Sequence, residues 1–157
     1  MPLTESNLVG EINRTSERLK KFNWRNAQKD ALKHFQKLRR MQEADHNGYC
    51  QCISCPKKKH FKEMDGGHYK KSKDFPNVSF DPVNVWPQCP YCNDHLGGNE
   101  VNYRINLIQK VGILEVLRIE KTALGGPRME QHEYEKFYAA LAVYYRKLVL
   151  IEAKRFE

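Results

Sequence analysis

Apolar side chains recur every three or four positions through the first part of the chain, and the period predicts a helical region over 6–44. Trp24, Ala27, Ala31, Phe35, Leu38 and Met41 line one face of it. A second row, Lys21, Arg25, Lys29, Lys33 and Lys37, repeats every four residues and sets a basic stripe beside the apolar one. Asn47-Gly48 ends the segment as a turn. The pattern then shortens. Residues 61–69 and 77–80 read as brief strands separated by an irregular loop at 72–76, and 84–88 leads into a pair of cysteines. Helical spacing returns at Asn93, breaks at Gly97-Gly98, and resumes over 99–111 with Tyr103, Leu107, Ile108 and Val111. Beyond Gly112 it continues over 113–119 with Leu114, Leu117 and Ile119. A glycine-rich loop at 124–127 precedes a last long helix over 129–156, with Tyr134, Phe137, Leu141, Tyr144, Leu148 and Ile151 along one side. The expected class is α+β and mostly helical. A basic amphipathic region (1–48) and a C-terminal helix (121–157) flank a small central unit (49–120).

Composition sharpens this picture. At 157 residues the chain can hold one domain with a modest core and appendages. Its formal net charge is +8, which favours polyanionic partners because lysine and arginine displace counterions from phosphates. Between Arg14 and Arg40 there are ten basic residues against Glu17 and Asp30 as the only acids. A helix charged for solubility alone normally mixes signs, so phosphate contact is the favoured reading over a merely solvated face. Residues 1–10 lack the apolar core of a secretion signal, and no apolar run approaches 18 residues. The expectation is a protein of the cytoplasm with no membrane association.

The cysteines carry the strongest signal. Cys52 and Cys55 are separated by two residues, as are Cys89 and Cys92, with 33 residues between the pairs. Two such knuckles suit a tetrahedral structural zinc, because two intervening residues let both sulfurs of a turn reach one ion. An odd total of five argues against a disulfide scaffold and leaves Cys50 as a bystander. Between the pairs lie Asp65-Gly-Gly-His68 and Asn84, and Asn93 follows the last cysteine. Phosphodiester hydrolysis needs a base to activate water, a divalent cation at the phosphate and cations along the backbone. His68 could supply the first. The oxygens of Asp65 and Asn93 suit Mg²⁺ or Mn²⁺. Lys70, Lys71 and Lys73, directly after His68, could meet the backbone. Plainer roles stand beside these: His68 as a structural histidine, Asn84 as a turn residue, Asn93 as a helix cap and Tyr103 as core. His95 reads as structural or DNA-facing.

At these residues the chain resembles the HNH, or His-Me finger, nucleases. It is more closely similar to the phage recombination nucleases of the NinG (Rap) family. The carrying motifs are Cys52-Ile-Ser-Cys55, Met64-Asp-Gly-Gly-His-Tyr69, Asn84-Val-Trp-Pro-Gln-Cys-Pro-Tyr-Cys-Asn93, His95-Leu-Gly-Gly-Asn99 and Tyr103-Arg104. The step from Cys92 to Gly97 also resembles phage endonuclease VII, a junction resolvase with a four-cysteine zinc clamp. The resemblance implies a zinc-clamped ββα-metal core and Mg²⁺- or Mn²⁺-dependent cleavage of branched DNA, such as Holliday junctions and D-loops, in an infected bacterium. It implies His68 as general base, Asn84 as the residue that fixes the loop behind it, and Asn93 with Asp65 as ligands of the catalytic ion. Many HNH enzymes carry the acid immediately before the base, where this chain has Gly67. Arg104 is a further candidate contact to the backbone, and a homodimer would suit a two-fold junction. The rivals are a nickase of linear duplex, a non-catalytic zinc finger that binds nucleic acid, and a zinc-stabilised protein-interaction module.

Overall fold

The computed structural model describes residues 9–14, 24–126 and 131–157. Helical residues 9–14 (α1) precede the helix Trp24–Gln42 (α2). Two antiparallel pairs follow. Tyr49–Gln51 (β1) pairs with Lys58–His60 (β2), and Asp65–His68 (β3) pairs with Val85–Gln88 (β4). A single π turn, Tyr91–His95, leads to Glu100–Val111 (α3), Ile113–Leu124 (α4) and Gln131–Ala153 (α5). Lys21 and part of the expected 6–44 helix lie outside the described residues.

The apolar row of α2 is buried as its spacing requires: Ala27, Ala31, Phe35, Leu38 and Met41 are each no more than 4% exposed. Its alanines let α5 approach closely, and α5 meets them with Tyr138, Ala139, Ala142, Val143 and Val149. This corrects the face expected for the last helix. Phe137, Tyr144 and Ile151 are about half exposed, at 45%, 44% and 52%. Helix α5 is apolar on nearly all sides, so periodicity alone could not choose which side turns inward. Phe80 closes the helix pair, with its ring 5.6 Å from Phe35 and 5.7 Å from Tyr145.

The second central strand also differs from expectation. Residues 77–80 are not a strand: Pro76–Val78 forms a 3₁₀ turn, and Val85–Gln88 is the partner of β3. Proline at 76 presets a turn rather than an extended run, and Asn77 is spent on donating to the Thr122 and Gly125 carbonyls. All four residues of β4 are buried. Helices α3 and α4 cover this sheet with Tyr103, Leu107, Val116 and Ile119, packed on Ile53, Tyr69, Val78 and Trp86.

The two glycines of β3 set how closely its neighbours pack. A Cβ on Gly66 would lie 2.9 Å from the backbone Cα of Gln36 on α2. A Cβ on Gly67 would lie 2.7 Å from Gln88 Cβ. Strand alternation therefore turns Gly66 and His68 toward the α2 side and Asp65 and Gly67 toward the Gln88 side.

Candidate functional site

Four sulfurs converge where the β1–β2 hairpin meets the end of β4. The Sγ atoms of Cys52, Cys55, Cys89 and Cys92 all lie within 4.8 Å of one another, and Cys55 and Cys89 are 3.8 Å apart. A tetrahedron with Zn–S bonds of ~2.3 Å has an edge of about 3.8 Å, so the cluster has the size of a zinc site. Backbone N–H groups of Ser54 and Cys89 donate to Cys52 Sγ at 3.4 and 3.3 Å, and Asn99 Nδ2 points at Cys92 Sγ at 3.5 Å. Such donors stabilise thiolate charge and orient ligands. Four sulfurs close the coordination and leave no position for a substrate water. Cys50 is buried outside the cluster, and burial pushes its thiol up to about 11.

The π turn begins one residue after the Cys89-Pro90 step and carries Asn93 back over β3. Asn93 Nδ2 lies 3.2 Å from Asp65 Oδ2, and it also faces Asp94 Oδ1 at 3.4 Å. The side chain of Asn93 is thus directed at Asp65 rather than capping the chain that follows. Turned about, the same amide presents an oxygen beside the carboxylate. Two oxygens so placed are of the kind that could serve Mg²⁺ or Mn²⁺, which retain several waters. Gln88, opposite Asp65 in the sheet, has a fully buried Oε1 with no hydrogen-bond donor among the described residues. Its Nε2 donates to Ser54 Oγ and to the Gly98 carbonyl, both at 2.7 Å, which ties the first knuckle to the turn after Asn93. The Gln88 side chain fills the space in front of Gly67, which explains why the position before His68 carries no acid and why the carboxylate sits at 65.

His68 lies at the other end of β3. Its Nε2 is 2.9 Å from the Ser79 carbonyl oxygen. A carbonyl only accepts, so Nε2 carries the proton and Nδ1 the lone pair. Burial lowers the pKa of His68 below the ordinary imidazole value, and the Ser79 bond works in the opposite direction. The neutral form is therefore favoured near pH 7. Asp65 and His68 have opposite parity on the strand, and among the described residues no hydrogen bond joins His68 to Asp65 or Asn93. The structure brings Asp65 to Asn93 and leaves His68 on the other side of β3.

Asn84 holds the loop that carries Ser79. It is fully buried; its Oδ1 accepts from Lys70 N at 2.8 Å, and its Nδ2 donates to the Lys70 and Val78 carbonyls, both at 3.0 Å. One side chain thus fixes the backbone two residues after His68 and one residue before Ser79. Tyr103 is core and also a support, since its buried hydroxyl donates to the Gly67 carbonyl at 2.8 Å. Ser79, Gln88 and this use of Tyr103 were not legible in the sequence. Ser79 acts through its backbone, and only the placement of Gln88 beside Cys89 gave any signal for it.

The basic candidates divide. Arg25, Lys29, Lys33 and Lys37 are exposed along α2, and Lys71 and Lys73 are exposed after β3. Lys70 pairs with Glu100 at 2.8 Å, and its ammonium lies 4.5 Å from the Tyr69 ring centre. Arg104 is held by Glu120 at 2.8 Å, a carboxylate shared with the Tyr69 hydroxyl at 2.6 Å, so its charge is engaged within the fold. His95 is exposed, with its ring 5.7 Å from that of Tyr91. No helix among the described residues is long and apolar enough to cross a membrane.

Curated relatives match a stretch of the chain. It is 42% identical over 69 residues to Protein ninG of Salmonella phage P22, covering 44% of this chain and 34% of the relative. It is 41% identical over 69 residues to Protein ninG of Escherichia phage 933W, with the same shares covered. It is 39% identical over 69 residues to Protein ninG of Escherichia phage lambda, covering 44% of this chain and 33% of that relative. The matched stretch thus spans about a third of the length of these curated relatives. No solved structure matches. The family model described as Bacteriophage Lambda NinG protein matches residues 9–152, nearly the whole chain, and the chain therefore belongs to the NinG family.

Proposed function

We propose that this protein is an HNH-type, metal-dependent endonuclease that cuts branched DNA intermediates of phage recombination. The observation that carries the reading is the approach of Asn93 to Asp65 at 3.2 Å, on a two-stranded unit clamped by four cysteines. In this reading His68 Nδ1 takes a proton from the attacking water while the Ser79 carbonyl holds Nε2–H and fixes the ring. Asn84 keeps the Ser79 loop in register with the strand end. Asp65 and Asn93 would hold Mg²⁺ or Mn²⁺, which would supply charge stabilisation at phosphorus and at the 3′ leaving oxygen. The products are a 5′-phosphate and a 3′-hydroxyl. Because Asp65 and His68 project to opposite sides of β3, a single phosphate must reach both around the end of the strand. Lys29, Lys33 and Lys37 extend the grip to neighbouring phosphates, and the exposed side of α5 suits a second copy that would place two centres on a four-way junction.

A second reading, a zinc-stabilised DNA-binding module without catalysis, is favoured by that same separation of His68 from the Asp65–Asn93 pair. The deciding experiment is cleavage of a synthetic four-way junction and a matched linear duplex with Mg²⁺ or Mn²⁺, comparing wild type with His68→Ala. Junction cutting lost in the variant with binding retained supports the endonuclease. Binding without cutting by the wild type supports the module, and equal cutting of both substrates points to a nickase of linear duplex.

A further inference from the structure

We propose that a cleft between α2, the β1–β2 hairpin and the C-terminal end of α5 binds an unpaired nucleotide, with its base on an aromatic floor and its phosphate at Lys37 and Lys62. The cleft has a volume of about 630 Å³, lined by Lys37, Met41, His60, Phe61, Lys62 and Phe156 among others. That size is typical of a small-ligand site.

Three observations define the occupant. The first is the floor. The rings of His60, Phe61 and Phe156, which all line the cleft, follow one another with centroids 4.6 and 5.0 Å apart and planes tilted by 31° and 39°. Aromatic platforms of this kind accept the face of any base, provided the base is unstacked from its neighbours. Gly48, with φ +82°, lets the His60 ring seat against the turn, since a Cβ there would overlap the imidazole. The second is the rim. Lys58 pairs with Asp45 at 3.1 Å and Lys59 with Glu63 at 3.7 Å, whereas Lys37 and Lys62 meet no carboxylate among the described residues. No acid lines the cleft. Its uncompensated charge therefore calls for an anion, and the two lysines suit a phosphate.

The third is position. Lys37 is the last member of the exposed ladder Lys29, Lys33, Lys37 on α2. On the other side, Lys62 precedes Asp65 by three residues, so their Cα atoms are at most about 11 Å apart. Arg40 fastens this stretch by donating to the Phe61 and Met64 carbonyls. A strand that follows the α2 lysines thus passes the cleft on its way to Asp65. Duplex DNA keeps its bases stacked and offers nothing to the floor; a branch point or single-stranded tail does. This inference rests on the nucleic-acid reading above and adds the feature that would make the protein prefer branched over fully paired substrates.

The test uses the full chain without added Mg²⁺ or Mn²⁺. Binding is measured by anisotropy for a blunt duplex and for the same duplex bearing a five-nucleotide single-stranded tail with 2-aminopurine. The wild type is expected to bind the tailed duplex about tenfold more tightly and to quench the 2-aminopurine. Phe156→Ala and, separately, Lys62→Gln should bring the tailed-to-blunt ratio close to one. Lys62 is exposed, so its substitution reads the site without a folding penalty. Equal affinity of the wild type for both duplexes, or a ratio preserved in both variants, overturns the proposal. Junction cutting with no tail preference rejects the cleft and leaves the endonuclease standing. Tail preference without cutting does the reverse.

Discussion

His68 and Ser79 are joined through a 2.9 Å contact between the imidazole Nε2 and a backbone carbonyl. Ten residues lie between them in the chain, and the contact gives the imidazole one tautomer, while desolvation favours its neutral form. Whether it serves as a base or a brace, its titration is readable.

Junction cleavage should keep its neutral-base activity down to a pH below the ordinary imidazole range near 6.5, because burial lowers the pKa of His68. A pH–rate profile checks this, and an acid limb at or above 6.5 would contradict it. Stability has a matching sign. With the folded pKa below the unfolded one, the unfolded chain binds more protons in that window. The contribution is therefore fully present above about 6.5 and declines as the pH falls toward the folded pKa. His68→Gln should flatten that part of the stability–pH curve in urea titrations.

Removing zinc should unfold the central unit. The two knuckles join segments 33 residues apart in sequence, so the free energy of binding the metal is also folding free energy. Metal analysis should find one zinc per chain, and a strong chelator should abolish the cooperative thermal transition. Cys55→Ser, the most accessible of the four ligands, should lose both metal and fold, while Cys50→Ser should keep its zinc.

Asn84→Ala removes one acceptor and two donors from a fully buried site; Lys70 N and the Lys70 carbonyl lose this partner, and the Val78 carbonyl keeps the Asp81 N–H. The expected cost is about 2–4 kcal/mol by chemical denaturation. Asn84→Asp should be no better, since a carboxylate can accept from Lys70 N but would oppose the carbonyls of Lys70 and Val78. In either variant that still folds, the His68–Ser79 contact should loosen, and because that bond holds the imidazole pKa up, its signature is a downward shift of the acid limb.

Gly66→Ala places a methyl 2.9 Å from the backbone of α2 at Gln36, where no side-chain rotation can relieve it. The expected loss is about 1–3 kcal/mol, together with broken Gln36–Gly66 hydrogen bonding. Thermal unfolding measures the first. Faster amide exchange in β3 would report the second.

Neutralising Lys29, Lys33 and Lys37 together to glutamine should weaken DNA binding across sequences and flatten the log K against log salt slope by about 2–3. The three side chains are exposed, so stability should change little. An unchanged slope would take α2 off the DNA-facing surface.

How much of this was legible beforehand depends on what each segment had to satisfy. The row from Ala27 to Met41 could be read because α2 has one apolar face and one polar face, and only one packing satisfies both. The cysteine spacing could be read because coordination geometry is local. The orientation of α5 could not, because apolar residues ring the helix and its partner decides; Tyr138 and Ala142 turned inward where Phe137 and Tyr144 were expected. Nor could the partner of β3. Val78 and Phe80 look like strand residues, yet Pro76 and the bonds of Asn77 make a turn, and Val85 to Gln88 pairs instead. At the candidate site, Asp65, Asn93 and Asn84 stood out by type and spacing. Ser79 contributes a carbonyl that any residue would have, and its position follows from the loop alone.

Arg39 and Arg40, near the end of α2, turn toward the strands, unlike Arg25 and the lysines of the same helix. Arg39 donates to the Val85 carbonyl and lies over the Trp86 ring, and Arg40 donates to Phe61 and Met64. Burial lowers the pKa of both guanidiniums. Formal net charge therefore overstates what a passing polyanion meets. These two cations work as mortar, welding the helix to the strands beneath, so a charge-preserving exchange of either for lysine should behave like a defect in the masonry rather than a change of surface paint.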